Sequence, residues 1–307
     1  MLKAATFQRI LIPFDGSAAS SRAAQIAVGM AAALGGQVIF SYIAPELTSE
    51  EDAKRTLEPA VTLAEQAGLK FETHVIDGAT DTTSQAIAND AQNSTCDLIV
   101  MGTRGREGLA RLLIGSVAEQ VTRVAPVPVM LVRPVKDADR SAPRIARILV
   151  AVDGSHPSNL ALQAANDLAH ALGASLEVVS IIPDLPFTMG YAYSDGGYLP
   201  PFDDDRYASG LAANSQAILS SATQQLGHAA LKPVSITTSS IPASGQRIAA
   251  AILLAAENIG ADLIVIGTHG RGGIEELLLG SVAQGVMHHA NIPVLLIRQN
   301  KLATVET

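Results

Sequence analysis

Short runs of β-branched and aliphatic residues alternate along the chain with longer alanine-rich segments. That alternation predicts strands joined by helical crossovers, the pattern of a parallel sheet covered on both faces. In the first half it places strands at Arg9 to Phe14, Gln37 to Ile43, Lys70 to Ile76, Asp97 to Met101 and Val127 to Val132. In the second half it places them at Arg147 to Val152, Ser175 to Ile181, Lys232 to Thr238, Asp262 to Ile266 and Ile292 to Ile297. Helices fill the intervals. Ser17 and Ser155 stand where the first helix of each half should start, and Gly35 and Gly173 where it should stop.

The two halves are copies of one another. Arg9-Ile10-Leu11-Ile12-Pro13-Phe14-Asp15-Gly16-Ser17 returns 138 residues later as Arg147-Ile148-Leu149-Val150-Ala151-Val152-Asp153-Gly154-Ser155. The stretch from Asp97 to Arg133 returns at Asp262 to Arg298, 165 residues later, with 21 identities in 37 positions. An internal repeat of this length means two fused domains, and a chain of 307 residues has room for two. The change of offset places about 27 extra residues in the second copy, after Pro183. Pro134 to Arg144, with its charges, serine and second proline, reads as the connection, giving domains 1–136 and 144–300 around a linker at 137–143.

Composition narrows the class. Apolar residues make up 48% and charged residues 16%, enough for burial and too little charge for a disordered chain. No apolar stretch reaches the length of a membrane span and no cleavable leader is evident near Met1, so a soluble, cytoplasmic protein is expected, with no membrane partner. The net charge of −8 opposes general attraction to nucleic acid, and no nucleic-acid partner is expected. A single cysteine, Cys96, makes no intrachain disulfide and reads as a small buried hydrophobe.

The chemistry concentrates after the fourth strand of each copy. Gly102-Thr103-Arg104-Gly105 is followed after nine residues by Gly115-Ser116, and Gly267-Thr268-His269-Gly270 after nine residues by Gly280-Ser281. Ligands of open parallel sheets sit beyond the carboxyl ends of the strands, and a glycine-rich loop there lets backbone N–H groups approach phosphate oxygens. Ser116 or Ser281 then opens a helix whose first N–H groups favour an anion. Neither a Walker loop nor the dinucleotide fingerprint occurs. Asp15 and Asp153 end the first strand at the same edge, where a carboxylate can accept from a ribose hydroxyl or an adenine amino group, or meet a metal carried on phosphates. Each can equally serve as the first residue of a strand-end turn.

Gly102 to Arg133 and Gly267 to Arg298, in this order and duplicated, closely resemble the signature of the universal stress protein family, in particular its tandem, ATP-binding members. The resemblance covers nearly the whole chain. It implies an α/β fold of two tandem Rossmann-like domains (adenine nucleotide alpha hydrolase-like), each a five-stranded parallel sheet of order 3-2-1-4-5 with helices on both faces. It implies ATP at the carboxyl ends, with Asp15 and the backbone near Ile43 on the adenosine. Gly102, Arg104, Gly105, Gly115, Ser116 and Val117 would meet ribose and phosphates, and Pro13 and Met101 belong to the same set. In the second copy the matching positions are Asp153, Ile181, Ile266, Gly267, His269, Gly270, Gly280, Ser281 and Val282. A magnesium ion on the nucleotide near Asp15 and Asp153 is compatible with this. Arg104 stands where the family commonly has histidine, and Ala151 stands where the first copy has Pro13. Family members pair through their fifth strands, which two fused copies can satisfy within one chain; a homodimer of chains is the further option.

The implied function is an ATP-binding stress-response regulator whose occupancy changes conformation or partner binding, with no catalytic residue assigned. The alternative is an enzyme on the same fold, a slow ATPase or nucleotidyl-transferring relative. His288 and His289, adjacent at the end of the last helix, point to different faces and read as helix-end cations rather than metal ligands. The extra segment of the second copy, about 184–210, holds four of the five tyrosines and the Asp203-Asp204-Asp205 triplet. Such aromatic content requires a surface to pack on. A lid over the second site, a contact to another subunit, and a loop packed on its own domain are the three readings.

Overall fold

The structure is a computed structural model and describes residues 7–45, 48–78, 81–105, 114–134, 144–183, 204–227, 236–243, 248–268 and 279–298. The first half runs β1 (Arg9–Pro13), α1 (Ala18–Leu34), β2 (Gln37–Ala44), α2 (Glu50–Gln66), β3 (Lys70–Asp77), α3 (Thr83–Asn93), β4 (Leu98–Gly102), α4 (Ser116–Val124) and β5 (Val129–Val132). The second runs β6 (Arg147–Ala151), α5 (His156–Leu172), β7 (Ser175–Pro183), α6 (Asp204–Gly227), β8 (Ile236–Ala243), α7 (Ile248–Ile259), β9 (Leu263–Gly267), α8 (Ser281–His289) and β10 (Val294–Ile297). Ser17 and Ser155 cap α1 and α5 through their hydroxyls, which accept from Ser20 N and Ser158 N, and Gly35 and Gly173 close the same helices in the left-handed conformation.

All ten strands form one sheet in the order β3-β2-β1-β4-β5-β10-β9-β6-β7-β8, so each half has the order 3-2-1-4-5. Pairing is parallel within each half, and the halves meet where β5 and β10 pair antiparallel, with Leu295 opposite Met130. Alternation along the strands divides the core. Ile10, Ile12, Met130 and Leu295 face α1, α2, α5 and α6, whereas Leu11, Leu131 and Leu296 face α3, α4, α7 and α8. Each of the two apolar layers runs through both halves. The seam strands are buried throughout, and each large aliphatic side chain so placed is worth about 1.5–3 kcal/mol relative to exposure.

Two arginines fasten the halves reciprocally. Arg133, just after β5, donates to the carbonyls of Met287 and His288 at the end of α8, at 3.5 Å for Met287. Arg298, just after β10, donates to those of Arg123 (2.5 Å), Ala125 (3.2 Å) and Thr122 (3.4 Å) at the end of α4. A guanidinium suits orphan helix-end carbonyls because it brings several donors and the charge that the C-terminal dipole favours. Burial lowers the pKa of both guanidinium groups from their ordinary value, and for Arg133 nearby Arg104 adds to this.

One expectation shifts. The strand expected at Lys232 to Thr238 is found at Ile236–Ala243. It lies where Ile236, Thr237, Thr238 and Ile241 supply β-branched residues, and Pro242 is tolerated because β8 pairs on one side only. The extra segment of the second copy, about 184–210, overlaps the start of α6 at Asp204. Its residues 184–203 lie outside the described residues. Among the described residues no helix is long and apolar enough to cross a membrane.

Cys96 precedes β4 and packs in the core beneath α3 and α4. Burial pushes its thiol up to about 12, against a smaller lowering by Arg9. The native protein should therefore resist a thiol-disulfide reagent at neutral pH and react fully once unfolded by denaturant. Prompt native labelling would contradict this placement.

Candidate functional site

Each half carries a cavity where the carboxyl ends of its strands meet the loop before its last helix. The first, about 760 Å³, is bounded by the ends of β1, β2 and β4 and the start of α4. Pro13, Asp15, Ile43, Met101, Gly102, Arg104, Gly105, Gly115, Ser116 and Val117 all stand in its wall. The second, about 430 Å³, has Asp153, Ile181, Ile266, Gly267, Gly280, Ser281 and Val282 in its wall. His269 and Gly270 lie outside the described residues.

The Asp-Gly-Ser turns shape one rim. The carboxylate of Asp15 accepts from Ser17 N at 3.0 Å, and that of Asp153 from Ser155 N at 2.9 Å. Gly16 and Gly154 occupy φ of 77° and 80°, a region that side chains disfavour. This fixes each aspartate as a turn residue and also holds its carboxylate at the cavity. The opposite rim is pinned identically in both halves. Thr103 N donates to Val132 O and Gly115 N to Thr103 O, as Thr268 N does to Ile297 O and Gly280 N to Thr268 O, all at 2.8–2.9 Å. The glycine loop is thereby closed on Thr103 or Thr268, which is in turn held to the end of the fifth strand. Ser17 Oγ donates to Arg104 O at 3.3 Å, linking this rim to α1.

Two helices that open at the cavities differ from those whose side-chain caps are described. α1, α2, α3 and α5 are capped by the side chains of Ser17, Ser49, Thr82 and Ser155. α4 and α8 begin after Gly115 and Gly280, which supply no capping side chain. Their first N–H groups stay available toward the cavity, an arrangement suited to an anion. At the floor of the first cavity, Ser41 Oγ and Thr103 Oγ1 are buried without a hydrogen-bond partner among the described residues. Buried hydroxyls are normally satisfied, so the floor carries unmet polar capacity.

The glycines before these loops have a packing role that their spacing does not reveal. A Cβ on Gly102 would lie 2.7 Å from the carbonyl carbon of Ala19, and one on Gly267 would lie 2.8 Å from that of Pro157. The strand end therefore touches the first turn of α1 or α5. A Cβ on Gly105 would meet the Asp15 carboxylate at 2.8 Å, so the loop and the aspartate close on one another. Sequence reasoning missed Ser41, Thr83 and Ile87 in the first wall and Leu211, Asn214, Ser215 and Ile218 of α6 in the second. The i, i+4, i+7 spacing of Leu211, Ser215 and Ile218 was the available signal.

A third cavity, about 410 Å³, lies beside β3 and α3 at the outer end of the sheet. There His74 Nδ1 is 2.8 Å from Asp90 Oδ1, and Asp81 adds a second carboxylate. That charge disfavours phosphate. Among the described residues no group of three or more His, Cys, Asp or Glu could hold a metal ion.

A sequence profile of the universal stress protein family matches residues 6–133 and 144–298. A universal stress protein of Mycobacterium tuberculosis is 31% identical over 258 residues, covering 82% of this chain and 78% of its own length. One from Mycolicibacterium smegmatis is 28% identical over 321 residues, covering 97% of this chain and 99% of its own. Among solved structures, a universal stress protein from Archaeoglobus fulgidus shares the fold over 96% of this chain and 98% of its own, with a TM-score of 0.66 at 21% identity.

Replacing Gly102 or Gly267 by alanine should destabilise the fold by about 1–3 kcal/mol through overpacking against α1 or α5. Gly29→Ala, on an exposed turn of α1 with nothing within 4 Å of the added carbon, should instead stabilise by about 0.5–1 kcal/mol. Urea unfolding of the three variants measures both signs.

Proposed function

Because the chain belongs to the universal stress protein family, we propose that its two cavities bind adenine nucleotide and that occupancy regulates the protein in the cytoplasm by changing conformation or partner binding. The observation that carries this is the pair of uncapped helix starts, α4 and α8, each facing an aspartate across a glycine-bordered cavity. Phosphate oxygens would take the free N–H groups of the first turn, and Arg104 would add positive charge at the first cavity. Asp15 and Asp153 would accept from ribose or the adenine amino group. Magnesium would arrive on the phosphates, near these carboxylates, rather than in a cage built by the protein.

A path from occupancy to shape is available in the fold. α4 begins at the first cavity and ends nine residues later on the carbonyls held by Arg298 of the other half. α8 runs likewise from the second cavity to Arg133. A ligand that draws either helix toward its phosphates pulls on a contact across the seam.

The test uses Ser116→Glu and Ser281→Glu, both at exposed first positions of their helices. A glutamate there is favourable to the helix yet repels phosphate. Circular dichroism and melting temperature should stay at the parental values, while ATP affinity falls by about tenfold or more at the altered cavity in titration calorimetry. Parental ATP affinity in the folded double variant would remove the phosphate assignment. ADP accumulating during incubation would favour the slow ATPase.

A further inference from the structure

The third cavity, beside β3 and α3, shares no wall residue with the first two and carries a different chemistry. Asp81, Asp90, Asn89 and His74 stand in its wall with the apolar side chains of Val75 and Ile76, and no lysine or arginine does so among the described residues. Even a charged imidazole at His74 would leave one of the two carboxylates uncompensated. Asn89 Nδ2 donates to Asp81 Oδ2 at 3.2 Å, and Gln85 Nε2 donates to Asn89 Oδ1 at 2.9 Å, so Asp81 is tethered to α3.

Asp90 is the unusual member, because it is only 7% exposed. Its Oδ1 accepts from His74 Nδ1 at 2.8 Å and from Ser94 Oγ at 3.2 Å, whereas its Oδ2 is buried with no partner among the described residues. A buried carboxylate oxygen is costly to leave unpaired, so this one calls for a donor. His74 does not supply it, since its Nε2 lies 3.5 Å from Glu72 Oε2, on the strand side. Nor does the fold need a carboxylate at this place. Ile87 of α3 and Ile252 of α7 match at the 165-residue offset, and each lines the cavity of its own half. On that register Asp90 corresponds to Ala255, also buried, and Asn89 to Leu254. On the sheet His74 pairs with Ser41, and Ser239 with Val179 of the repeat, so serine replaces the histidine. The acidic, polar wall is therefore an addition to a frame that packs without it.

We propose that the third cavity binds a small organic cation, an ammonium or guanidinium on a short aliphatic stem. The head group would donate to Asp90 Oδ2 and to Asp81, and hydrogen bonds between ionised partners are the strong ones. The stem would lie along Val75 and Ile76. At about 410 Å³ the cavity falls at the small end of the range of about 300–1,000 Å³ usual for ligand pockets, which suits a free amine. A bare metal ion suits it less, because the described residues bring no group of three or more ligating side chains together.

The experiment is titration calorimetry on the nucleotide-free full chain with agmatine and putrescine, and with arginine as the zwitterionic control. Both amines should bind saturably with a Kd of about 1 mM or tighter. Arginine should bind more weakly than agmatine, because its carboxylate meets charge of its own sign. Asp90→Asn and Asp90→Ala, the latter carrying the residue that the second half has there, should each weaken both amines by about tenfold or more. Melting temperature should stay at or above the parental value in both variants, since an unpaired buried carboxylate is removed, and ATP affinity should stay parental. Amine affinity unchanged by either folded variant would overturn the assignment to Asp90. Failure of both amines to bind at about 10 mM would overturn the site itself. A response to a capped arginine peptide alone, with both free amines inert, would replace the small cation by a protein side chain and overturn the proposal as stated.

Discussion

A five-stranded parallel sheet has two edges, and in each half of this chain one edge consists of four consecutive aliphatic residues, Val129 to Val132 or Val294 to Ile297. Left open, either would present apolar side chains to water together with an unpaired row of backbone donors and acceptors, the combination that invites association. Pairing β5 with β10 antiparallel satisfies both edges at once and makes two five-stranded sheets into one ten-stranded sheet. Everything functional in the structure hangs from this seam. The glycine loops are pinned to residues that end β5 and β10, and the helices after them end on arginines from across it. An isolated half would keep its cavity but lose the arginine that terminates its last helix.

The duplicated turn and glycine spacing made most of the architecture legible, because each motif marks a place where the backbone has few alternatives. Asp-Gly-Ser fixes the end of β1 or β6 and the cap of the following helix, and Gly102 and Gly267 fix how closely strand and helix approach. The strand order was reached through the family resemblance rather than through periodicity, which specifies strands without specifying neighbours. The arginine contacts were out of reach for the same reason. Arg133 meets His288 across 155 positions and Arg298 meets Arg123 across 175, and nothing local in either sequence marks a distant helix end.

The misplaced strand, β8, lies in the second half between Pro183 and Ile248. There the repeat offers no template, since the inserted residues break the offset, and β8 sits at the sheet edge where a strand has one neighbour to set its register. α6 illustrates the limit. Its Leu219, Ala222 and Leu226 pack in the same core as the buried residues of α2, but its first turns have no counterpart in α2, and Leu211 there reaches the second cavity.

Duplication supplied two frames that share strand order, loop pins and helix ends. Strand registers, loop pins, glycine caps and arginine clamps are kept in both halves, down to hydrogen bonds of matching length. At the cavities, Pro13 gives way to Ala151 and Tyr42 to Ser180, and Leu211 of α6 joins the second wall. Altering a seam residue would disturb both halves at once, because each seam strand is core for both apolar layers. Altering a cavity wall disturbs one ligand. Change is therefore less constrained at a cavity wall than in the sheet that holds the two halves together.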